Sequence, residues 1–342
     1  PPASPPTAPP ASPPTAPPDD EYVVDGSMLS AVARCSTYAA IRYAWNMESI
    51  GARWAALAGT AAHAAMQVHL QGGSLEQTMA VFTAGYDPPD GIELEPRLEP
   101  ANIYAILEHW FRHHPPSTLP FKVEATERAF KLPLGALPDG TIIWFCGRWD
   151  AIVRPSAPEG QYLRIGDLKT TGKLTDWWSN QWLESAQITG YCWAAMNGAL
   201  PAHLLGSTVI GATIIGIEFR EVPASSHRCA GHGVPYAECG IMHCKDQIMH
   251  VTRTPEQLGE WHRSALHLAN RYVDICRRSP TLEGGLHRVR MQGMFNGGCT
   301  FCDFKPFCRS NRPLSLIPQH LVPSRWEPFA GARDPKQEPP NA

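Results

Sequence analysis

Two aspartates and a lysine end two strand-like segments in the middle of the 342-residue chain. Asp150 lies late in TIIWFCGRWDAIVRP (141–155), and Asp167 and Lys169 lie near the end of QYLRIGDLKTT (161–171). Residues two apart in a strand share a face, and a hairpin would bring Asp150 to the other two. Carboxylates at a sheet edge bind a hard cation such as Mg²⁺ or Mn²⁺, and a lysine can orient the attacking water. The pattern predicts phosphodiester hydrolysis, although Asp-x-Lys is also typical of a solvated ion pair.

Three cysteines near the end of the chain form a second candidate site. Cys299, Cys302 and Cys308 lie in CTFCDFKPFC. Zinc prefers four ligands, so three thiolates need a fourth partner from elsewhere in the sequence. The other cysteines in apolar segments, Cys146, Cys192 and Cys276, are most simply predicted to be core residues.

A further cysteine- and histidine-rich segment, SSHRCAGHGVPYAECGIMHC, follows in the second half of the chain. Its ligand types suit a small zinc site, but its spacing matches no familiar pattern, so a loop with incidental thiols is the default interpretation. The candidate ligands are His227, Cys229, His232, Cys239, His243 and Cys244.

The bulk composition restricts the class of protein. The apolar content of 43% is enough for a substantial core, and the net charge of −3 gives no overall attraction for nucleic acid. No run of about 18 apolar residues and no signal pattern is present, so we expect a cytosolic protein without a membrane partner. In that compartment the 10 cysteines are more typical of free thiols or metal ligands than of disulfides.

The hydrophobic pattern and the turn residues predict the elements that carry these groups. Residues 2–9 and 10–17 repeat PASPPTAP, which is typical of an unpacked tail. The short segments LGALPDG and SAPEG favour an antiparallel meander of three strands. Thr254 and Pro255 mark the start of a late helix. The predicted helices cover 27–45, 54–70, 176–197 and 254–278, and the predicted strands cover 121–134, 141–155, 161–171 and 207–219.

These residues, in this order of elements, resemble the PD-(D/E)XK nuclease superfamily and, within it, the RecB-like exonucleases. The resemblance implies an α/β fold with a restriction-endonuclease-like core, in which a mixed central sheet is flanked by helices. It implies that Asp150 and Asp167 are metal ligands and that Lys169 is the catalytic lysine.

The resemblance also extends to residues on two helices. It implies that His63, in GTAAH, is a further metal ligand, and that Gln187 and Tyr191, in QITGY, line the cleft and contact the substrate. From the residues alone, His63 is more typical of a helix surface or core, and Gln187 and Tyr191 of a partly buried polar pair. Relatives often carry a glutamate in the strand before Asp150, where Glu127 and Glu124 compete for the role.

The terminal cysteines fit one group within this family, which includes the AddB helicase-nuclease subunit and a CRISPR-associated exonuclease family. In that group an iron-sulfur cluster is held by one early cysteine and three late ones spaced C-x2-C-x5-C. The resemblance implies that Cys35, Cys299, Cys302 and Cys308 hold a [4Fe-4S] cluster, although four thiolates suit Zn²⁺ equally by ligand count. Such a cluster would close a loop of 264 residues (299 minus 35) and would staple the helical portion of the domain.

The resemblance implies a Mg- or Mn-dependent deoxyribonuclease, either an exonuclease or a DNA end-processing enzyme in recombination, repair or phage replication. Arg271, Arg288 and Arg290 are candidate phosphate contacts, although a solvated helix face is equally consistent. The tryptophans of DWWSNQW are candidates for stacking on bases, and we expect at least one of them to be core. The sequence has no helicase motif, so a helicase or recombination protein would be a partner that supplies unwinding.

Two alternatives remain open on the sequence. One is a DNA-binding protein with the same fold that has lost hydrolysis, and the other is a zinc-stabilised interaction protein. The predicted organisation is a disordered tail over 1–25, a nuclease domain over 26–312 with an insertion at about 224–250, and a C-terminal tail over 313–342. The expected location is the cytoplasm, or the host cytoplasm if the chain is phage-encoded.

Overall fold

The structure is a computed structural model that describes residues 21–49, 53–89, 91–156, 161–220, 245–289, 291–300, 302–312 and 314–326. The proline-rich repeat, the six candidate zinc ligands and Arg290 lie outside the described residues. The described helices are α1 (Gly26–Arg34), α2 (Ser36–Ala39), α3 (Arg53–Leu70), α4 (Leu75–Gly85), α5 (Pro100–His113), α6 (Asp176–Leu183), α7 (Ala186–Ala194), α8 (Pro255–Arg278), α9 (Leu282–Gly285), α10 (Lys305–Arg309) and α11 (Ile317–His320). The described strands are β1 (Glu21–Val24), β2 (Met47–Ser49), β3 (Phe121–Ala136), β4 (Ile142–Pro155), β5 (Leu163–Thr171), β6 (Val209–Glu218), β7 (Asp246–Thr252) and β8 (Leu321–Pro323).

The chain divides into two compact units. Of the described residues, the first unit comprises those within 21–49, 135–143 and 267–326, and the second comprises those within 53–134 and 144–266. The carboxylate and lysine candidates all fall in the second unit, and the four cysteines of the proposed cluster all fall in the first.

A mixed sheet forms the centre of the second unit. Strands β4, β5, β6 and β7 lie side by side in that order, and β3 also pairs with β4. β4 and β5 are antiparallel, β5 and β6 are parallel, and β6 and β7 are antiparallel. The parallel step is possible because α6 and α7 connect β5 to β6.

Helices cover both faces of this sheet. The apolar faces of α3, α4 and α5 pack against Ala151, Val153 and Leu168 in one buried cluster. On the opposite face Gly216 lies so close to the Trp178 ring that any side chain there would collide with it. The predicted α/β fold with a mixed sheet flanked by helices is therefore confirmed, although α4, α5 and β7 were missed in the sequence.

Two predicted helices are interrupted. The segment 27–45 breaks at Cys35, whose backbone is extended (φ −166°, ψ 122°), and it ends in a π-helical turn over Ala40–Ala44. The segment 176–197 divides into α6 and α7, because Ser185 starts a new helix by accepting a hydrogen bond from the Ile188 amide. The predicted start of α8 is confirmed: the Thr254 hydroxyl accepts from the Gln257 amide at 3.3 Å.

The first unit contains short helices and a two-stranded antiparallel sheet of β2 and β8. Asp25 caps α1 by accepting a hydrogen bond from the Met28 amide at 2.6 Å, and its other carboxylate oxygen accepts from the Trp326 indole at 3.1 Å. These contacts fix the helix whose end carries Cys35. β1 lies within the range predicted as the N-terminal tail, and β8 lies within the range predicted as the C-terminal tail. None of the described helices is long and apolar enough to span a membrane.

Candidate active site and cysteine pocket

The register of β4 and β5 brings the two aspartates together. Ala151 pairs with Gly166 in this antiparallel pair, so Asp150, one residue before Ala151, and Asp167, one residue after Gly166, lie opposite each other on the same face. Lys169 is two residues beyond Asp167 on that face. The hairpin predicted from the sequence therefore builds the expected trio.

Asp167 is the most buried member of the trio, with a side chain only 3% exposed. Nζ of Lys169 lies 2.8 Å from its Oδ2. The contact lacks hydrogen-bond geometry, and among the described residues no hydrogen bond reaches this buried oxygen. A buried carboxylate oxygen in this position is a suitable ligand for a cation.

Asp150 is held from two sides. Its Oδ2 accepts a hydrogen bond from the Leu168 amide at 2.7 Å, and its Oδ1 lies 3.3 Å from Nδ1 of His63 on α3. The structure thus places His63 at the acidic pair, where the family resemblance put it. The set of carboxylate oxygens and one imidazole suits Mg²⁺ or Mn²⁺.

The charges around the pair set the direction of each pKa. Burial acts to raise the pKa of Asp150, but His63 and Lys169 outweigh it and the pKa lies below its usual value. Burial raises the pKa of Asp167, and the negative charge of Asp150 adds to the rise. The pKa values of the two carboxyl groups therefore shift in opposite directions. Burial alone would lower the pKa of His63, but the Asp150 carboxylate raises it.

One of the two predicted residues on α7, Gln187, contacts the lysine directly. Oε1 of Gln187 accepts from Nζ of Lys169 at 3.3 Å, and Nε2 of Gln187 donates to the Tyr191 hydroxyl at 3.2 Å. Four residues apart, the two side chains share one helical face. Gln187 therefore links the lysine to Tyr191.

The choice between the two glutamates of β3 follows from their partners. Glu124 pairs with Arg154 at 2.8 Å, whereas Glu127 pairs with Arg148 at 2.8 Å. Burial raises the pKa of Glu127, the Arg148 guanidinium lowers it, and the negative charge of Asp150 raises it, so the charge of the acidic pair acts on Glu127. Its φ of +47° is rare for a residue with a side chain, so the strand is strained where it presents this carboxylate.

The three tryptophans of α6 have different environments. Trp178 is core at 4% exposure, as expected for at least one of them, and Trp177 is 75% exposed. Trp182 is half-buried, and its ring lies under Lys169, with Nζ 5.3 Å from the ring centroid. This contact was not predicted, because it joins residues of α6 and β5 that no local sequence pattern relates.

Two of the arginines predicted to contact phosphate form hydrogen bonds within the first unit. Arg271 donates to Oε1 of Gln292 at 2.9 Å, and Arg288 donates to the carbonyl of Arg278 at 3.1 Å. A role in DNA binding would therefore depend on the remaining guanidinium nitrogens.

Four cysteines of the first unit, Cys35, Cys299, Cys302 and Cys308, line one cavity of about 350 Å³. Cys35 is buried, while Cys299, Cys302 and Cys308 are partly exposed. The other lining side chains include Thr37, Tyr38, Met291, Met294, Phe304 and Lys305. The structure thus brings Cys35 to the terminal trio across most of the sequence.

Hydrogen bonds on both sides of Cys35 explain this approach. Nε of Arg34 donates to the carbonyl of Gly298 at 2.7 Å, and the hydroxyl of Ser36 donates to Oε1 of Gln292 at 2.9 Å. The residues that flank Cys35 are thereby fixed to the segment that leads into Cys299. Burial raises the pKa of Cys308 to about 11, so its thiol needs a metal or another cation to become a thiolate.

Neither site converges on a single point. Among the described residues, no group of three or more His, Cys, Asp or Glu side chains is arranged to hold one metal ion. At the acidic pair, Asp150 faces His63 and the Leu168 amide, and Asp167 faces Lys169. A cation at this pair would have to replace some of these contacts.

A sequence model of the PD-(D/E)XK nuclease superfamily matches residues 27–309, which contain every member of the acidic site and all four pocket cysteines. The chain belongs to this superfamily. Membership supports a nuclease, and PD-(D/E)XK nucleases typically use Mg²⁺ or Mn²⁺. The search among curated proteins found no match.

Two solved structures are similar to the chain at low identity. One is the crystal structure of SSO0001, with a TM-score of 0.33 and 12% identity over 85% of this chain and 87% of that chain. The other is named "Putative exonuclease", from Eubacterium rectale, with a TM-score of 0.42 and 16% identity over 88% of this chain and 93% of that chain. Both scores are below 0.5, so the family assignment rests on the sequence model.

Proposed function

We propose that this PD-(D/E)XK protein is a Mg²⁺- or Mn²⁺-dependent deoxyribonuclease of the RecB-like type, acting as an exonuclease or DNA end-processing enzyme. One observation carries the proposal: Asp150 and Asp167 face each other across a strand pair, with Nζ of Lys169 at 2.8 Å from Asp167. An incidental surface ion pair would be exposed, whereas Asp167 is almost completely buried.

Each residue of this site has a distinct task in the proposal. Asp150, Asp167 and His63 hold the divalent cation, which when bound lowers the pKa of a water and stabilises charge on a phosphoryl oxygen. Lys169, as an ammonium, orients the attacking water by donating to it. Gln187 holds the lysine, and Tyr191 contacts the substrate backbone.

The cysteine pocket supports a [4Fe-4S] cluster held by Cys35, Cys299, Cys302 and Cys308 in the proposal. A single zinc ion needs all of its thiolates about 2.3 Å from one point. A cluster instead takes one thiolate at each of several irons, and a cavity of about 350 Å³ lined by four thiols fits that demand better. The cluster would be structural, because it would link the segment that carries Cys35 to the segment that carries Cys299, Cys302 and Cys308.

The proposed substrate is DNA, recognised by its backbone and not by its sequence. Recombination, repair or phage replication is the proposed setting, with a helicase or recombination protein as the source of unwinding. Arg271, Arg288 and Arg290 are proposed phosphate contacts, and the cytoplasm, or that of a phage host, is the proposed location.

Degradation of end-labelled single- and double-stranded DNA with added Mg²⁺ or Mn²⁺ tests the proposal. Wild-type protein is expected to release label only when metal is present, and Asp167→Ala and Lys169→Ala are expected to lose this activity. Equal degradation by the wild type and both variants would remove these residues from the mechanism. No degradation by folded, metal-supplied wild type would favour a DNA-binding protein without hydrolysis.

A further inference from the structure

Lys169 has a third neighbour besides Asp167 and Gln187. Its Nζ lies 5.3 Å from the centroid of the Trp182 ring, within the range of a cation–π interaction. The ammonium is therefore bounded by a carboxylate, an amide oxygen and an aromatic face.

We propose that Trp182 is a positioning residue for Lys169, and that its ring keeps the ammonium in place when the carboxylate of Asp167 is shared with a cation. The inference rests on the proposed function. A lysine side chain is long and flexible, so an ammonium held only by Gln187 at 3.3 Å would sample other rotamers. The neutral ring attracts the ammonium without competing with it for the divalent cation. A further carboxylate at that position would attract the ammonium and would also bind the divalent cation.

The ring is itself fixed by its surroundings. Trp182 packs edge-on against Trp178, with 5.7 Å between ring centroids. Its indole N–H is buried and has no acceptor among the described residues. An unsatisfied buried N–H is costly, so hydrogen bonding does not explain the place of this side chain. The ring contacts with Trp178 and Lys169 do.

Arg253 connects the aromatic support to the amide support. This buried guanidinium donates through Nη2 to the carbonyl of Trp182 at 2.9 Å and through Nε to the Thr189 hydroxyl at 2.7 Å. Thr189 lies on α7 between Gln187 and Tyr191. One side chain thus holds the end of α6 and the middle of α7 at a fixed spacing around Lys169.

Variants of the ring test the inference. Trp182→Leu removes the aromatic face and Trp182→Phe retains a smaller one. Trp144→Leu is the matched control, because Trp144 forms a similar contact with Lys131, at 4.8 Å from Nζ to the ring centroid, outside the acidic site. For each protein we would measure kcat and KM for DNA cleavage in Mn²⁺, and the unfolding midpoint.

The expected result is a split between the two kinetic constants. Trp182→Leu should lower kcat about 10- to 30-fold and change KM by less than about twofold, since a desolvated cation–π contact has that strength. Trp182→Phe should recover most of the loss, and Trp144→Leu should match wild type. A kcat of Trp182→Leu within twofold of wild type, or a loss that is equal in Trp182→Phe, would overturn the inference.

A second readout does not require cleavage. Acetylation of Lys169 by a lysine-reactive ester, followed by mass spectrometry of the metal-free protein, reports how well the ring covers the amine. Labelling should be several-fold faster in Trp182→Leu than in wild type, while Trp144→Leu should accelerate only Lys131. Unchanged labelling of Lys169 would contradict the contact. Absence of cleavage by the wild type would instead count against the proposed function.

Discussion

The acidic site and the cysteine pocket are built in opposite ways. Asp150 and Asp167 are 17 positions apart and meet through the register of one antiparallel strand pair. Cys35 and Cys299 are 264 positions apart and meet through hydrogen bonds from the side chains of Arg34 and Ser36, which flank Cys35, to the segment around Cys299. The acidic site is therefore formed by the pairing of two strands. The cysteine pocket depends on side-chain contacts between the segment around Cys35 and the segment around Cys299.

This difference separates what each site needs in order to form. The acidic side chains have protein partners at short range, so the site keeps its shape through His63, Leu168 and Lys169. The thiols line a cavity, and burial raises the pKa of Cys302 and Cys308. A bound group in that cavity would add a cross-link between Cys35 and the three terminal cysteines.

The largest effect on activity is expected at Asp150. Asp150→Asn keeps an oxygen for the Leu168 amide but loses the negative charge that attracts a cation and His63. We expect DNA cleavage to fall about 10³-fold, within the range seen when one catalytic group is removed, with little change in the unfolding midpoint. The control Asp274→Asn breaks only an exposed ion pair with Arg278 on α8. Wild-type cleavage rates in Asp150→Asn would show that the acidic pair is structural.

A substitution in the cysteine pocket is expected to change the iron content of the protein and its stability. Cys35→Ser is expected to lose the bound iron, with its absorbance band near about 400 nm, and to lower the unfolding midpoint. Cys276→Ser is the matched control, because burial raises the pKa of that thiol to about 11 and it lies outside the cavity. Iron and sulfide analysis after anaerobic purification makes the measurement. Equal iron in both variants, or zinc in the wild type, would refute the cluster.

A smaller loss of activity is expected at Glu127. Glu127→Gln removes a charge beside Asp150 and should reduce cleavage about tenfold, because it contributes to cation binding and is not the main ligand. Glu124→Gln lies on the same strand but pairs with Arg154, and it should leave cleavage unchanged. Steady-state rates at saturating Mn²⁺ and at low Mn²⁺ distinguish a binding effect from a chemical one. Equal losses in the two variants would contradict the assignment of Glu127.

The smallest effect concerns the scaffold of the acidic site. Nε2 of His69 donates to the carbonyl of His114 at 2.7 Å, and burial lowers the pKa of His69 below its usual 6.5. The unfolded chain therefore binds a proton at His69 more readily than the folded chain does. The contribution of neutral His69 to the free energy of unfolding is complete above about pH 6.5, and it is lost as the pH falls through the folded pKa. His69→Gln, which keeps a donor, should flatten the fall in unfolding free energy between about pH 7 and pH 5. An unchanged slope in denaturant titrations would show that His69 does not titrate on unfolding.

The two regions also differ in how far the sequence predicts them. The alternation of strand residues was sufficient to place Asp167 and Lys169 on one face. Three residues apart, Glu124 and Glu127 should fall on opposite faces, but the positive φ of Glu127 breaks the alternation, and no residue pattern announces such strain. The approach of Cys35 to Cys299 came only from the family resemblance, because long-range hydrogen bonds leave no local signature.

Helix boundaries were the weakest predictions, because they too depend on long-range contacts that a local sequence pattern does not show. Alanine-rich segments favour one continuous helix, yet the chain breaks at Cys35, where tertiary contacts of Arg34 and Ser36 outweigh propensity. The break after Leu183 had a local cause in Ser185, which is a good N-cap residue. Trp182, whose ring contacts Lys169, lies in the last turn of α6 before that break.

Binding of Mn²⁺ to the metal-free protein, measured by calorimetry, tests most directly whether Asp150 and Asp167 form a cation site. Wild type and Lys169→Met should both bind Mn²⁺, the variant at least as tightly, because it loses the ammonium that lies 2.8 Å from Asp167. The double variant Asp150→Asn, Asp167→Asn should not bind at the same concentrations. Equal Mn²⁺ binding by the wild type and the double variant would contradict the account.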